Sequence, residues 1–321
     1  MQFRIRKHLI WFWGGSVLLL LCTMGIFCSF PSPEPAQPAL AIAGRNGWAI
    51  ERGAPPLSGV PVTLTREALL QGTLMQVSAA NPLPVDFPPP NVRDVRAMVG
   101  AYLPAKEGLM LHQDAIYALC TMQFEYPLEQ GVSLIRGTLS SAQQEAWRRE
   151  AFDRYSRVYP VAEAMSRVTE EIPGGGESEH QLGYSLDIAL KSPLSLAGSD
   201  PLLHNTAGHW LHENLWRFGW IYRFSPEEKS EGSCEGIHLR YVGKAHAAAM
   251  HTLGVSLEAY LSLLRNEGTL TLLRDGIPYC YLYCFPDEKN LSLLLPKDAQ
   301  WEASADNTGF SILAIAAQGA F

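Results

Sequence analysis

The ten residues SEHQLGYSLD, numbered 178–187, place an imidazole at His180 and a carboxylate at Asp187. The two positions are seven residues apart, so the side chains cannot be neighbours on one helical turn. They can meet if His180 closes a turn and Asp187 begins the strand that the apolar run LDIAL at residues 186–190 predicts. Gly183 permits the tight bend between them. We therefore expect a turn and a strand that bring both side chains to one site.

A second segment, CEGIHLRYVG at residues 234–243, offers Glu235 and His238. Residues 237–242 are typical of a strand, on which two residues three apart point to opposite faces. Glu235 can serve the same site as His238 only from a loop or bulge before that strand. Two histidines and one aspartate can hold Zn²⁺ and leave a position for water, whose proton a free glutamate can accept. The candidate metal ligands are therefore His180, Asp187 and His238, with Glu235 as general base.

The residues alone leave other interpretations open. Both spacings also occur by chance, and an ordinary globular protein without a metal remains an alternative. Six further histidines compete as ligands: His112, His204, His209, His212, His246 and His251. A serine nucleophile is disfavoured, because Ser185 does not lie in a Gly-x-Ser-x-Gly motif. A thiol mechanism through Cys234 is also disfavoured, because the neighbouring carboxylate of Glu235 would raise the pKa of the thiol.

The N-terminal region differs in composition from the rest of the 321-residue chain. Basic residues precede an uncharged apolar stretch at residues 9–30, which is long enough to cross a bilayer as a helix. We expect a single-pass anchor over residues 1–30, with the remainder outside the cell membrane. A cleaved signal peptide is the alternative. Residues 31–61 are rich in Pro, Ala, Ser and Gly and predict an extended linker.

The globular part of the chain alternates predicted helices and strands. Helices are expected over residues 111–124, 141–155, 161–171, 205–218, 244–253 and 256–265, and strands over 74–77, 132–135, 186–190, 220–224 and 237–242. After residue 266 the pattern changes to strands at 269–273, 279–285, 291–295 and 310–316, with an Asp-Gly hairpin signal at 275–276. This tail predicts a small antiparallel β module, either packed on the preceding domain or hinged from it. The net charge of −7 and the lack of a basic run argue against a nucleic-acid partner.

The two segments together resemble the VanY-type D-alanyl-D-alanine carboxypeptidases, of the zinc peptidase superfamily shared with lysostaphin and the hedgehog zinc domain. The resemblance rests on SxHxxGxSxD at residues 178–187 and ExxHxRYVG at residues 235–243, with support from about residue 72 to 264. It implies an α+β fold, in which a small central antiparallel sheet with flanking helices carries the zinc site. It also implies that His180, Asp187 and His238 bind Zn²⁺, that Glu235 is the base, and that Ser178 lies beside the metal and helps to hold the substrate.

The chain departs from the family pattern upstream of this site. The family usually has Ser-Gly-Tyr-Arg-Ser and then Gln four residues on, where this chain has RGTLS at residues 136–140 and Gln144. Leu139 replaces the arginine that helps to hold the substrate, and Arg136 is a candidate to fill the gap. Gln144 is either the family's glutamine or a residue of a capping box that begins at Ser141.

The expected organisation is an anchor (1–30), a Pro-rich linker (31–61), a zinc carboxypeptidase domain (62–266) and a β module (267–321). The expected activity is removal of the terminal D-Ala from peptidoglycan stem peptides. The alternatives are L,D-carboxypeptidase or endopeptidase action on the same peptides, and a non-catalytic, zinc-stabilised domain that binds wall peptide or a protein. The sequence makes no prediction of the oligomeric state.

Overall fold

The computed structural model describes residues 41–85, 87–88, 90–191, 206–223 and 237–317. Within these residues the chain mixes helices with antiparallel sheets, and they belong to one compact unit. The anchor predicted over residues 1–30 lies outside the described residues. In the described part, no helix taken singly has the length and apolarity to cross a membrane; one bent pair, Lys244–Leu253 with Leu257–Glu267, satisfies those two criteria jointly, with 93° between its helices.

The strands and helices follow one another along the chain in mixed order. The strands are β1 (Ala41–Arg45), β2 (Trp48–Arg52), β3 (Val60–Thr65), β4 (Val92–Asp94), β5 (Met110–His112), β6 (Val132–Arg136), β7 (Ser185–Leu190), β8 (Trp220–Tyr222), β9 (Ile237–Tyr241), β10 (Thr269–Arg274), β11 (Ile277–Pro286), β12 (Asn290–Leu295), β13 (Trp301–Ala305) and β14 (Phe310–Ala316). The helices are α1 (Arg66–Leu70), α2 (Val95–Val99), α3 (Gln113–Glu125), α4 (Leu128–Gly131), α5 (Ser141–Tyr155), α6 (Val161–Glu171), α7 (Thr206–Asn214), α8 (Lys244–Leu253) and α9 (Leu257–Glu267), with 3₁₀ turns at Gly100–Tyr102, Glu179–Leu182 and Leu215–Phe218.

The candidate site lies on the four-stranded antiparallel sheet β6-β7-β9-β8. In its register, Asp187 of β7 is opposite His238 of β9 on one side and Arg136 of β6 on the other. The register shifts between Leu134 and Arg136, so β6 contains a bulge there. Directly opposed residues project from the same face of a sheet. The bulge therefore turns the Arg136 side chain to the face that carries Asp187 and His238.

The other face of this sheet is buried in the main hydrophobic core. Leu186 and Ile188 alternate with Asp187 along β7 and are almost fully buried. They share the core with Ile116 and Leu119 of α3, the helix predicted over residues 111–124. Burial of such a side chain is worth about 1.5–3 kcal/mol. This core keeps the strands that carry the site in one register, because a slip of one residue would turn Asp187 into the core.

The predicted strands of the tail are confirmed, but the sheet that they form also contains N-terminal strands. Its order is β1-β2-β10-β11-β14-β13. One face packs in a common core with α8 and α9, through residues such as Leu270, Leu282 and Ile312. The tail is thus packed and not hinged. The third predicted strand of this region, β12, pairs with β3 in a separate two-stranded sheet.

The extended linker predicted over residues 31–61 is wrong for residues 41–52, which form the hairpin β1–β2. Asn46 and Gly47 connect the strands with φ of 51° and 80°, the left-handed values that an Asn-Gly hairpin turn needs. Ile50 is fully buried, and Trp48 packs against the same core. The prediction of a linker followed from the Pro- and Ala-rich composition of the region, although the region also contains the Asn-Gly pair and apolar residues on both sides of it.

The strand predicted over residues 74–77 is also wrong. These residues form no ladder with a neighbouring strand, because their backbone is engaged by the C-terminal part of the chain. The backbone N–H of Leu74 donates to the Ser304 hydroxyl at 2.9 Å, and that of Gln76 donates to the carbonyl of Asp306 at 3.1 Å.

Candidate metal centre

The turn that carries His180 forms as the sequence predicted. Residues Glu179–Leu182 make a short 3₁₀ turn, and Gly183 ends it with φ of 90°, a value that favours glycine. Ser178 precedes the turn, and its hydroxyl accepts a hydrogen bond from the backbone N–H of His180 at 3.3 Å. Strand β7 then begins at Ser185 and brings Asp187 to the face of the sheet beside His180.

The structure brings His180, Asp187 and His238 together. One ligand atom from each lies within 4.8 Å of the other two. Nε2 of His180 is 3.3 Å from Oδ2 of Asp187, and Nδ1 of His238 is 2.7 Å from Oδ1 of Asp187. The imidazole rings meet edge to face with centroids 4.9 Å apart. Two nitrogens and one carboxylate oxygen thus converge, as a zinc site requires.

The competing histidines within the described ranges do not join this cluster. Among the described residues, no other group of three His, Cys, Asp or Glu side chains converges closely enough to hold a metal ion. His204 lies outside the described residues. His246 is buried and its Nδ1 is 2.7 Å from the Tyr260 hydroxyl, so it has a structural partner. The ring of His251 stacks on that of Trp216, with the centroids 4.3 Å apart.

Hydrogen bonding orients the His180 ring. Its Nδ1 is 2.7 Å from the carbonyl oxygen of Gly137. A carbonyl can only accept, so Nδ1 donates to it and Nε2 is the nitrogen that faces Asp187. Metal-binding histidines are commonly held in this way by a backbone carbonyl on the outer nitrogen.

Asp187 is ionised in this environment. Burial by itself raises the pKa of a carboxyl group, but the imidazoles of His180 and His238 outweigh it and hold the pKa of Asp187 below its usual value. Arg136 adds a further positive charge, with Nη1 2.7 Å from Oδ2 of Asp187. The guanidinium carbon of Arg136 also lies 3.7 Å from the centre of the Trp147 ring, a cation–π contact that fixes its position.

The other two predicted substrate contacts, Ser178 and Gln144, are both buried. Ser178 caps the turn described above. Gln144 donates from Nε2 to the carbonyl of Pro173 at 2.8 Å. The interpretation of Gln144 as a capping-box residue is wrong, because the capping box of α5 is formed by Ser140 and Gln143, one residue earlier. Gln144 instead ties α5 to the segment that follows α6.

The predicted base, Glu235, lies outside the described residues, as does Cys234. Leu139, in the place of the family's arginine, follows Gly137 and donates from its backbone N–H to the carbonyl of His180 at 3.0 Å. Its side chain helps to line an open cavity of about 400 Å³ together with Met110 and Val92.

A second buried carboxylate, Glu179, was missed from the sequence. Its Oε1 accepts from Nε of Arg223 at 2.7 Å, and its Oε2 is 3.5 Å from Nε2 of His238. Arg240 also lies near, with Nη1 3.7 Å from Oε2. Burial raises the pKa of Glu179, but the charges of Arg240 and Arg223 outweigh this effect and hold the pKa below its usual value. The available signal was an acidic residue directly before His180.

The match to known proteins falls on this part of the chain. Residues 111–244 match the family model described as VanY, D-alanyl-D-alanine carboxypeptidase. A D-alanyl-D-alanine carboxypeptidase of Enterococcus faecium is 36% identical over 135 residues, which is 41% of this chain and 42% of the relative. One from Enterococcus faecalis is 33% identical over 125 residues, 37% of this chain and 43% of the relative. The chain thus spans about two-fifths of the length of these curated relatives.

The fold has a wider match. The crystal structure of the vancomycin-resistance D,D-dipeptidase VanXYg in complex with a D-Ala-D-Ala phosphinate analogue superposes with a TM-score of 0.65. The alignment covers 80% of this chain and 99% of that protein at 15% identity, so the likeness is one of fold. Residues 111–244 are thus similar in sequence and in motifs to the VanY family of D-alanyl-D-alanine carboxypeptidases.

Proposed function

We propose that this protein is a zinc-dependent peptidase that hydrolyses peptidoglycan stem peptides and removes their terminal D-Ala. The observation that carries the proposal is the convergence of His180, Asp187 and His238 within 4.8 Å, inside the domain that matches the VanY family model. Two curated relatives of this domain are D-alanyl-D-alanine carboxypeptidases.

The three side chains fit a zinc ion by their chemistry. The set contains two imidazole nitrogens and one ionised carboxylate, and the Gly137 carbonyl fixes the outer nitrogen of His180. Three protein ligands leave a coordination position for water or substrate, the arrangement of catalytic sites. A zinc ion held there would make water nucleophilic near neutral pH and polarise the carbonyl of the scissile bond.

The protein's own groups supply the remaining functions. Glu235, which is not a ligand in this proposal, accepts the proton of the attacking water and later passes it to the leaving amine. Arg136 presents a guanidinium on the same face as Asp187, where it can bind the substrate's carbonyl or terminal carboxylate. Ser178 and Gln144 are buried, and they support the site through the hydrogen bonds described above. Arg136 is therefore the better candidate for direct contact with the substrate.

The substitution at Leu139 bears on which peptide bond is cleaved. An arginine at this position would add a second cation, whereas Leu139 contributes to the wall of the apolar cavity with Met110 and Val92. This observation favours L,D-carboxypeptidase or endopeptidase action as the second candidate. A non-catalytic binding domain is the remaining alternative. Its discriminating residue is Glu235, which a pure binder does not need.

We also propose that the apolar stretch at residues 9–30 anchors the protein in the cell membrane with the peptidase domain outside. The proposal rests on the basic residues before that stretch and the uncharged run itself. Peptidoglycan lies on that side of the membrane, so the location and the substrate agree.

One experiment separates these functions. The purified protein is incubated with defined tetrapeptide and pentapeptide stems, and the products are identified by mass spectrometry. Loss of D-Ala from the pentapeptide alone supports the D,D-carboxypeptidase. Loss from the tetrapeptide identifies an L,D-carboxypeptidase, and binding without any product identifies a binding domain.

A further inference from the structure

The acidic residue Glu179 has contacts that neither the metal set nor the general base accounts for. Its side chain is almost fully buried on the 3₁₀ turn that carries His180, only 6% exposed. Oε1 accepts from Nε of Arg223 at 2.7 Å. Oε2 lies 3.5 Å from Nε2 of the His238 imidazole, and no other described group forms a hydrogen bond with it. A buried carboxylate oxygen with no closer donor indicates a group that is placed for this imidazole.

His238 lies between two carboxylates. Its Nδ1 is 2.7 Å from Asp187 and its Nε2 is 3.5 Å from Glu179. The two ring nitrogens therefore face different groups: Nδ1 faces the proposed metal ligands and Nε2 faces away from them. A metal ligand needs a lone pair on one nitrogen, and a carboxylate on the outer nitrogen holds the proton there.

We infer that Glu179 is a positioning residue, which accepts the Nε2 proton of His238 and so directs Nδ1 of that ring to the metal. The inference rests on the zinc site of the proposed function. The two histidines of the site are then held differently: His180 gives its Nε2 to the metal and is fixed by the Gly137 carbonyl, whereas His238 gives its Nδ1 and is fixed by Glu179.

Two arginines hold the Glu179 carboxylate in place. Arg223 bridges it to Glu258 at the start of α9, with Nη1 3.2 Å from Oε2 of Glu258. The Arg240 side chain is fully buried on β9, and its Nη2 donates to the carbonyl of Thr73 at 2.8 Å. Arg223 and Arg240 both place positive charge beside Glu179, and such ion pairs hold a carboxylate in a fixed orientation. The turn, β9 and α9 therefore meet at one carboxylate behind the metal site.

The first test compares the zinc affinity of the wild type, Glu179→Gln and Glu258→Gln by competition with a chromogenic chelator. Gln keeps the shape of Glu but presents a weaker, neutral acceptor to His238. We expect Glu179→Gln to weaken Zn²⁺ binding by about 10- to 100-fold, as loss of an outer-shell partner does. Glu258 is the matched control, because it pairs with the same arginine but does not contact His238. We expect its loss to change the affinity by less than about threefold, since exposed ion pairs contribute little.

The second test needs no variant, and so it holds even if Glu179→Gln fails to fold. The ring nitrogens of histidine are assigned by NMR in the ¹⁵N-labelled, zinc-loaded wild type. We expect His238 to carry its proton on Nε2, in slow exchange with solvent, and His180 to carry its proton on Nδ1. A His238 that is protonated on Nδ1 overturns the inference, as does an unchanged zinc affinity in a folded Glu179→Gln variant.

The two proposals fail separately. A wild-type protein that binds zinc but cleaves no stem peptide removes the proposed reaction, while the affinity ratio and the ring protonation still decide the role of Glu179. A protein that cleaves peptide but shows equal zinc affinity in all three forms keeps the reaction and removes the role of Glu179.

Discussion

Asp187 is opposite His238 in the antiparallel pair β7–β9, and its Oδ1 lies 2.7 Å from Nδ1 of that histidine. The same carboxylate reaches His180 and Arg136 through its other oxygen. Asp187 therefore contacts His180, His238 and Arg136. Its charge is the feature on which zinc binding depends most directly.

Replacement of this charge should remove the metal. Asp187→Asn keeps the size of the side chain and abolishes the anionic ligand, so we expect zinc affinity to fall by more than the roughly 10- to 100-fold typical of outer-shell changes. Metal content after dialysis, measured by mass spectrometry, checks this prediction. Asp114→Asn is a control at an exposed carboxylate outside the cluster. An Asp187→Asn protein that retains one zinc ion per chain would contradict the assignment.

Removal of the base should separate metal binding from catalysis. Glu235→Gln is expected to keep zinc and to lower kcat by about 10²- to 10⁴-fold, the usual contribution of a general base. Zinc content and turnover of a pentapeptide stem are measured on the same preparation. Turnover equal to that of the wild type would show that another group accepts the proton.

The guanidinium of Arg136 should be required for substrate recognition. Arg136→Leu is expected to lower kcat/KM by about 10- to 100-fold, the worth of a hydrogen bond to a charged group. The double variant Arg136→Leu with Leu139→Arg returns a guanidinium at the family's position, and we expect it to recover part of the loss. Melting temperatures are compared as well, because Arg136 also pairs with Asp187 and Trp147. Full activity of the single variant would exclude Arg136 from recognition.

Stability should depend on pH through Glu302. Burial raises the pKa of this carboxyl from its ordinary value of 4.5 to about 7, and the nearby charge of Asp114 acts in the same direction. The folded protein therefore holds this proton more tightly than the unfolded chain, and the stabilisation is lost as pH rises from about 4.5 to 7.

The neighbouring His246 has the opposite effect, because burial lowers its pKa from 6.5 to about 3 and favours folding at higher pH. The contribution of Glu302 is isolated by subtracting the melting temperatures of Glu302→Gln from those of the wild type at each pH. The difference should decline between pH 4.5 and 7. A difference that is constant across this range would refute the raised pKa.

Addition of a methyl group at Gly47, in the hairpin turn at residues 46–47, should lower the stability of the protein. At Gly47, φ is 80° and an added Cβ would lie 2.5 Å from Oδ1 of Asp275. Gly47→Ala therefore combines a left-handed backbone cost of about 1–2 kcal/mol with displacement of the exposed Asp275 side chain. Gly276 is the matched control, since its φ is 78° but an added Cβ meets no atom within 4 Å. Urea denaturation should show the larger loss for Gly47→Ala, and equal losses would argue against a contribution from this displacement.

The local structure around the site could be predicted because its signals are short-range. Gly183 marks the end of the turn, the apolar run after it marks β7, and the interval between Ser178 and Asp187 is short enough for local geometry to decide. The bounds of α6, Val161–Glu171, agree with the sequence pattern because a proline precedes the helix and a Pro-Gly-Gly-Gly run follows it closely.

Long-range relationships could not be predicted in the same way. The orientation of Arg136 depends on a bulge in β6, which no residue type in that strand signals. The role of Glu179 depends on arginines more than forty positions away in the sequence. The hairpin at residues 41–52 is a different case. Its Asn-Gly signal was present, but the composition of the surrounding region favoured a linker.

The hairpin β1–β2 also determines how the domain should be produced as a separate fragment. β2 pairs with β10 over five residues, from Arg52 opposite Leu270 to Trp48 opposite Arg274. A fragment that starts at residue 62 would leave the backbone N–H and C=O groups of β10 without their partner strand, and such an exposed edge recruits other chains. A recombinant fragment should therefore begin before residue 41, because without β1 and β2 the exposed edge of β10 would promote aggregation.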